Sequence, residues 1–560
     1  MRFAVLFSVF GLLYSSLIFN IYSLQVKKGM YYSARAESQN RLAGTLDAKR
    51  GGIFFTDRAG NKIPAAIQKE YSLIYAVPKE ITDAASVAAQ LALITGLDRE
   101  KLKVQLSKPG DPYELIMKKT PPEKAEAILL AKLEGIHIGK DSFRFYPFST
   151  LAAQVIGFLA PDAGDPVPSG KYGIELKFDS VLAGVDGQPG GDRLAEPESG
   201  RNVMLTIDSN IQSKAEDVLV SLVKKYDATG GTVIVQDPQT GKILAMGNYP
   251  SFDPNKYSEN AVLSSFLNPA LQSVYEPGSV FKVVTMAAGL DSHAITPDTS
   301  FVDAGSVTLD GHTIRNWDLK AHGKVTMTNV IEQSINTGTV FAEQRIGKDV
   351  FYKYLDAFGF NQPTGIELPG ERAGNLKNLK SNPKDINYAT ASFGQGIAVT
   401  PLQLAGAVSA IANGGTLYKP FIIDGTDSHA IRRVISESAA AQVKAMMVSA
   451  VKKAAVAQIP NYLIGGKTGT AQIPDFQHGG YLEEYVHSYV GFAPASNPKF
   501  TIFIKVDRPH APLAGATVVP AFRELAEYIL NYYSIPPDNL DVASQAVPHV
   551  DVPAKRGAKR

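Results

Sequence analysis

The sequence predicts an α/β (α+β) protein of two or more domains, preceded by one membrane-spanning helix. Its 560 residues are too many for a single hydrophobic core. From about residue 201, strand patterns at both ends of the remaining chain enclose a series of apolar helices, which favours one sheet that joins N- and C-terminal strands. Since 45% of the residues are apolar and 20% are charged, we expect folded domains rather than disorder.

The first predicted element is a membrane anchor. The stretch from Phe3 to Leu24 has no charged residue and is long enough to span a bilayer, which takes about 20 residues. A cleavable signal peptide would need a small-x-small site directly after it, but Gln25-Val26-Lys27-Lys28 follows and Ala34-Arg35-Ala36 lies farther on. We therefore predict an uncleaved anchor at residues 1–24. The flanking charges do not determine its orientation.

Residues 25–200 form the predicted N-terminal domain, a mixture of short strands, turns and helices. Ala84 to Ile94 reads as a helix with Asp83 as its cap, and Glu123 to Leu133 reads as another. The segment from Pro161 to Gly173 is rich in Pro, Gly and Asp, so we expect a loop or hinge there. This region contains no set of residues with catalytic spacing.

Residues 201–540 form the predicted second domain, and residues 541–560 a basic tail that we expect to be disordered. A hairpin is predicted where two apolar runs flank a turn with Pro and Gly. The elements expected here are the hairpin strands Thr232–Gln236 and Lys242–Met246, a helix at Leu402–Ala412, strands at Tyr462–Ile464, Ser488–Phe492 and Phe500–Val506, and a final helix at Phe522–Tyr533.

A candidate catalytic pair lies in the second domain. Ser279 follows a Pro277-Gly278 break and opens an apolar run that reads as a helix, so Ser279 and Lys282 share one face a turn apart. A lysine whose pKa is lowered by burial or by nearby positive charge can take the proton of a serine nucleophile. Alone, the pair is also typical of a helix cap followed by a lysine that reaches to solvent.

Two later triplets change that reading. Ser334-Ile335-Asn336 and Lys467-Thr468-Gly469 follow the Ser-x-x-Lys pair in the order found in penicillin-binding proteins and serine β-lactamases. Each triplet alone is more typical of a turn or of a strand end. The ordered set, widely spaced along one chain, is a specific signature of an acyl-serine enzyme.

The resemblance to one family extends beyond the triplets. The chain resembles class B penicillin-binding proteins, which are monofunctional peptidoglycan transpeptidases, most closely their cell-division branch; the elongation branch is the alternative. The segments that carry the resemblance are Arg50-Gly51-Gly52-Ile53, Thr56–Gly60, Arg144–Pro147, Gly173-Ile174-Glu175, Leu205–Asp208, Ile243–Met246, Ser251–Asn255, Gly394-Gln395-Gly396, Gly515–Phe522 and Ile535–Asp538.

The resemblance implies a fold and a set of roles. The second domain would have the penicillin-binding fold, and residues 25–200 would be a pedestal, similar to a dimerisation domain, that lifts it off the membrane. Ser279 would be the nucleophile and Lys282 its base. The other implied roles are proton relay for Ser334, contact with the substrate amide and Lys282 for Asn336, a second positive charge for Lys467, substrate binding for Thr468, Gly469 and Thr470, and an oxyanion hole from the N–H groups of Ser279 and Thr470.

The family also implies a substrate, partners and a location. We expect a D,D-transpeptidase, with a D,D-carboxypeptidase side activity, that acts on peptide stems of the lipid-linked precursor and nascent glycan and is acylated by β-lactam antibiotics. Its partners would be a membrane glycosyltransferase and divisome proteins. The N-terminus would be cytoplasmic and the catalytic domain outside the inner (cytoplasmic) membrane.

Other classes of protein are disfavoured by particular features. A β-lactamase needs a group that activates water, and the sequence assigns none; a β-lactam sensor needs more membrane helices; a silent scaffold would not keep all three motifs. The net charge of +2 gives no reason to expect nucleic acid. The absence of cysteine excludes a thiol nucleophile and disulfides, and there is no His-Glu-x-x-His motif, so neither a metal nor a cofactor is expected.

Overall fold

The computed structural model describes residues 48–538, except 188, 191–192, 195, 260–261 and 382, together with helical residues 10–11, 13–19 and 22. Within these residues, no helix is long and apolar enough to cross a membrane. The anchor predicted at 1–24 falls mostly outside the described residues, and the tail predicted at 541–560 falls entirely outside them.

Strands and helices alternate along the described chain. The strands are β1 Ile53–Thr56, β2 Lys62–Ala76, β3 Glu114–Thr120, β4 Ile136–Phe145, β5 Phe158–Asp162, β6 Asp165–Lys171, β7 Pro189–Gly190, β8 Arg193–Leu194, β9 Val203–Asp208, β10 Gly230–Gln236, β11 Ile243–Tyr249, β12 Ser300–Asp303, β13 Ser306–Leu309, β14 His312–Arg315, β15 Gly323–Thr326, β16 Thr416–Tyr418, β17 Ala430–Arg433, β18 Gly465–Pro474, β19 Tyr481–Ala493 and β20 Phe500–Asp507. The α-helices are α1 Ala84–Thr95, α2 Arg99–Leu106, α3 Pro122–Ala131, α4 Ala153–Ile156, α5 Gly173–Lys177, α6 Asp179–Ala183, α7 Ser209–Lys225, α8 Pro269–Gln272, α9 Lys282–Asp291, α10 Met327–Gln333, α11 Asn336–Ile346, α12 Lys348–Ala357, α13 Asp385–Ala391, α14 Pro401–Ala412, α15 Glu437–Ala454 and α16 Val518–Tyr532.

The N-terminal part is built on a sheet in the order β3-β2-β1-β9, with β4 paired to β2. Asp83 caps α1 as predicted, since its carboxylate accepts the N–H groups of Ala85 and Ser86. Helix α3 ends at Ala131, two residues before the predicted end, because Lys132 has a left-handed backbone with φ of 44°.

The prediction of a loop at Pro161–Gly173 is wrong. Strands β5 and β6 form an antiparallel hairpin there, with Pro161 opposite Pro168. The two strands pair only with each other, so the missing proline N–H groups cost no ladder bond in a larger sheet. The composition that indicated a loop marks the turn alone, where Gly164 has φ of 89°.

A buried ionic network joins three of the segments that carry the family resemblance. Glu175 is fully buried and receives Arg50 Nη2 at 2.7 Å and Arg144 Nε at 2.6 Å. Arg144 Nη1 also donates to the Gly51 carbonyl, and the Tyr146 hydroxyl donates to Glu175. Because a buried carboxylate needs such partners, these bonds hold the three segments together.

The second part is organised around a five-stranded antiparallel sheet in the order β11-β10-β20-β19-β18. The predicted joining of N- and C-terminal strands is thus confirmed. Helices α7 and α16 pack on the sheet with the buried cluster that includes Ile211 and Leu525, while α9 and α14 belong to a second cluster that includes Val283 and Leu404. The expected strand at Tyr462–Ile464 is wrong, because the strand begins at Gly465.

Candidate active site

Ser279 lies on a 3₁₀ turn, Gly278–Phe281, that leads directly into α9. Gly278 has φ of 60° and its N–H donates to the Gly394 carbonyl, and a side chain at Gly278 would come within 2.8 Å of Ala471 Cβ. The backbone before the serine is therefore fixed between the loop at Gly394 and strand β18. This accounts for the Pro-Gly that precedes Ser279.

Lys282, the first residue of α9, is completely buried one turn after Ser279. Its Nζ donates to the Ser334 carbonyl at 2.6 Å and to Asn336 Oδ1 at 2.7 Å, and it lies 3.3 Å from Ser334 Oγ. The Ser-x-x-Lys and Ser-x-Asn motifs are thus in direct contact, although 52 residues separate Lys282 from Ser334.

The Ser-x-Asn motif occupies the tight connection between α10 and α11. Ser334 has φ of 55°, a left-handed residue that ends α10, and Asn336 begins α11. The Asn336 side-chain amide donates to the Arg315 carbonyl at 2.8 Å, which turns its oxygen toward Lys282. Although Ser334 lies in the connection and Asn336 on the helix, both side chains face Lys282.

Lys467 reaches the same hydroxyl from the opposite side. It lies on β18, and its Nζ is 3.0 Å from Ser334 Oγ, 3.1 Å from the Thr468 carbonyl and 3.3 Å from Thr468 Oγ1. Ser334 Oγ therefore lies between two buried lysine nitrogens. A hydroxyl can donate one hydrogen bond and accept two, so it can pass a proton between them.

Burial lowers the pKa of both lysines. It places the pKa of Lys282 well below the usual value, and the charge of Lys467 lowers it further. Burial alone lowers the pKa of Lys467 to about 7. The lowered pKa of Lys282 favours its uncharged amine, the form that a general base requires.

The other predicted residues of β18 make contacts within the chain. Thr470 Oγ1 accepts the Ala514 N–H at 3.3 Å. At Gly469 an added side chain would come within 2.5 Å of Ser488 Oγ and 3.0 Å of the Pro277 carbonyl. A glycine here lets β18 pack closely against the turn that carries Ser279.

The site holds the Ser279 hydroxyl on a rigid turn, the buried amine of Lys282 one turn away, and the Ser334 hydroxyl, which bridges this amine to Lys467. Such a set can carry out acyl transfer, because the proton of the nucleophile has an acceptor and a return route to a leaving amine. Across the described residues, no group of three or more His, Asp or Glu side chains is placed to hold a metal ion.

Comparison with known proteins gives the family. The penicillin-binding protein transpeptidase domain matches residues 231–527, and the penicillin-binding protein dimerisation domain matches residues 45–203. Stage V sporulation protein D of Bacillus subtilis is 33% identical over 505 residues, which cover 84% of this chain and 76% of that protein. The chain is a class B penicillin-binding protein.

Further relatives of this class B penicillin-binding protein cover nearly its whole length. Peptidoglycan D,D-transpeptidase FtsI of Escherichia coli K12 is 30% identical over 567 residues, which cover 96% of this chain and 93% of that protein. Penicillin binding protein 3 of Mycobacterium tuberculosis, solved with aztreonam, has a TM-score of 0.69 at 27% identity and covers 89% of this chain and 98% of that one. Penicillin Binding Protein 2X of Streptococcus thermophilus has a TM-score of 0.73 at 23% identity, covers 88% and 81%, and shows the fold.

Sequence reasoning missed the residues that hold the Ser-x-Asn turn of this penicillin-binding protein. The Trp317 indole N–H donates to the Gln333 carbonyl at 3.0 Å, and Asn316 Oδ1 accepts the Thr337 N–H at 3.2 Å. Asp303 in turn accepts both the Thr337 hydroxyl and the Asn316 amide. These residues lie in a separate loop and strand with no motif of their own, so only the folded chain reveals them.

His487 is a buried residue of the sheet. Its Nδ1 lies 3.0 Å from Thr517 Oγ1, and burial lowers its pKa to about 4. The imidazole is therefore neutral at physiological pH. Among the described residues, its ring contacts Thr517 and hydrogen-bonds to neither Lys282 nor Lys467, so its role is structural.

Proposed function

We propose that this protein is a peptidoglycan D,D-transpeptidase with Ser279 as its nucleophile. The observation that carries the proposal is the Ser334 hydroxyl shared by two buried lysines, Lys282 and Lys467, one of which lies one helical turn after Ser279. The assignment of activity also rests on relatives that are named peptidoglycan D,D-transpeptidases.

Acylation begins with removal of the Ser279 proton by the neutral Lys282 amine. The serine oxygen attacks the carbonyl of the penultimate D-Ala in a stem that ends D-Ala-D-Ala. We assign the N–H groups of Ser279 and Thr470 to the oxyanion of the tetrahedral intermediate. Collapse breaks the peptide bond, and the proton on Lys282 passes through Ser334 to the amine of the departing D-Ala.

The second half of the reaction reverses these steps. An amine of a neighbouring stem attacks the acyl-Ser279 ester, its proton returns to Ser279 through the same groups, and a cross-link forms. Attack by water instead would give the D,D-carboxypeptidase side activity. Before acylation, Thr468 and Thr470 would bind the carboxylate end of the donor stem, beside Gly469 on β18.

β-Lactam antibiotics would acylate the same serine, because their strained amide presents a carbonyl to the nucleophile in place of the peptide bond. A structural neighbour at 28% identity, penicillin binding protein 3 of Mycobacterium tuberculosis, was solved in complex with ampicillin and covers 88% of this chain.

The cellular setting of the proposal follows the family. We assign residues 1–24 to a single-pass anchor in the cytoplasmic membrane with the N-terminus inside, 25–200 to the pedestal, 201–540 to the transpeptidase domain and 541–560 to the tail. The protein would act in septal wall synthesis, together with a membrane glycosyltransferase and divisome proteins. The elongation branch is the alternative.

Fluorescent penicillin tests the nucleophile. Ser279→Ala should abolish labelling while thermal melting stays unchanged, since the change removes a single half-exposed hydroxyl. Ser273→Ala is the matched control, because Ser273 is an exposed serine six residues earlier and should label as the natural protein does. Labelling that persists in Ser279→Ala would refute the assignment.

A further inference from the structure

One carboxylate near the nucleophile is used by none of the steps above. Glu276, three residues before Ser279, is half-buried, and its two oxygens have different partners. Oε1 accepts the Gly396 N–H at 3.1 Å, and Oε2 accepts the Tyr481 hydroxyl at 3.0 Å. The carboxylate thereby connects the serine segment to a loop on one side and to strand β19 on the other.

The first of these connections is to a rigid framework. The N–H and carbonyl groups of Tyr275 bond to those of Val399 at 3.0 Å each, and Gly278 donates to Gly394 at 2.9 Å. Glu276 lies between Tyr275 and Gly278 in sequence. Its bond to Gly396 joins the same two segments of the chain as these backbone bonds. The position of its carboxylate is consequently fixed relative to Ser279.

The second connection is to the exposed turn end of the β18–β19 hairpin. Tyr481 is the first residue of β19, directly after the turn 475–480 that joins it to β18. Pairing of the two strands shifts register between Gln472 and Pro474, and proline has no N–H for the ladder. The turn itself reaches into solvent, with the Phe476 side chain 94% exposed.

We propose that Glu276 is a positioning residue that fastens the turn end of the β18–β19 hairpin to the serine segment through Tyr481. This hairpin carries Lys467 near its other end. A peptide stem that extends along β18 must pass residues 471–474 beyond the reacting carbonyl. Glu276 thus fixes the part of the strand edge along which an extended stem binds. It therefore helps determine the preference of the enzyme for extended peptides. The inference rests on the proposed function.

The proposal predicts a split between substrates. Loss of the Glu276 side chain should lower kcat/KM for an extended stem peptide about tenfold, mainly through KM. Acylation by benzylpenicillin should change less than about threefold, because a small β-lactam contacts the site around Ser279 and not the strand end. A residue that merely stabilised the fold would affect both reactions together.

Five variants separate the Glu276–Tyr481 bond from other effects. Glu276→Ala and Tyr481→Phe each break it, so each should show the same loss, and the double variant should be no worse than either. Tyr485→Phe is the control, because Tyr485 lies four residues along the same strand and only its backbone is paired, with Gln472. Glu276→Gln should recover most of the loss, since an amide of the same length can accept from Gly396 and donate to Tyr481.

Hydrogen exchange of residues 472–485 gives a readout independent of activity. These amides should exchange faster in Glu276→Ala and Tyr481→Phe, but not in Tyr485→Phe. Unchanged exchange in the first two variants, or additive losses in the double variant, would overturn the inference. If the natural protein formed no acyl-enzyme at all, the proposed function would fail instead, and the exchange data would still decide whether Glu276 holds the hairpin.

Discussion

Replacement of Lys467 by methionine should make the protein more stable and less active at the same time. The side chain is buried, and burial lowers its pKa from 10.5 to about 7. At pH 7 and below, the folded state therefore holds the lysine charge at a cost that the unfolded state does not bear. Methionine fills the same space without that charge.

The size of the effect follows from the pKa. A fall from 10.5 to about 7 corresponds to roughly 5 kcal/mol at about 1.4 kcal/mol per pH unit. Methionine also leaves three acceptors, the hydroxyls of Ser334 and Thr468 and the Thr468 carbonyl, without the lysine donor, at about 1 kcal/mol each. We expect a net gain of about 2 kcal/mol at pH 7, which should raise Tm by several degrees.

The lowered pKa of Lys467 also predicts how the stability of the folded protein changes with pH. The folded state binds fewer protons than the unfolded state between pH 7 and 10.5, so the natural protein gains stability from Lys467 as pH rises through this range. The advantage of Lys467→Met should accordingly shrink toward pH 10. Denaturant unfolding at pH 7 and 9 measures the stability, and penicillin acylation, expected to fall more than tenfold, measures the activity.

The control is Lys452→Met, which changes an exposed lysine and should alter neither quantity. The reasoning would be refuted if Lys467→Met proved less stable than the natural protein at pH 7, or if its acylation rate stayed within about twofold of the natural rate.

Three further predictions concern packing and buried charge. Gly469→Ala should reduce acylation at least tenfold, because its Cβ would lie 2.5 Å from Ser488 Oγ. Gly515→Ala is the control, because open space surrounds Gly515 and acylation should not change. The rates of penicillin labelling compare the two variants. Glu175→Ala should destabilise the protein by about 3–5 kcal/mol, since it leaves two buried arginines without their carboxylate; limited proteolysis and thermal melting would show this, and a melting temperature equal to that of the natural protein would contradict it. Burial raises the pKa of Glu343 to about 7, so the folded state keeps a proton that the unfolded state releases near pH 4.5, and stability falls as pH rises between the two values by up to roughly 3 kcal/mol. Glu343→Gln should remove that loss, and unfolding curves at pH 5 and pH 8 with the same difference as the natural protein would argue against it.

The sequence predicted the parts of this site that are encoded by short spacing. Ser279 and Lys282 are three residues apart, and Ser334 and Asn336 two apart, so local geometry alone sets which way they point.

Long-range contacts were not predictable in the same way. The bond of Glu276 to Tyr481 joins residues 205 positions apart, and no periodicity marks either one. The partial burial of Glu276 depends on Tyr481, which lies on a strand that arrives from far along the chain. The prediction of a loop at Pro161–Gly173 was wrong for a related reason. Proline content does not distinguish a loop from a hairpin whose strands pair only with each other.

The fate of the penicillin adduct tests the central claim most directly. A transpeptidase must keep water from its acyl-enzyme, and the carboxyl of Glu276 is bonded to Gly396 and Tyr481 rather than to the lysines of the site. Pulse-labelling followed by a chase, with mass spectrometry of the tryptic peptide 257–282, should find the adduct on Ser279 and find it lasting many minutes. Release about 10³-fold faster, equivalent to roughly 4 kcal/mol of barrier, would make the protein a hydrolase. An adduct on any other residue would contradict the assignment of Ser279.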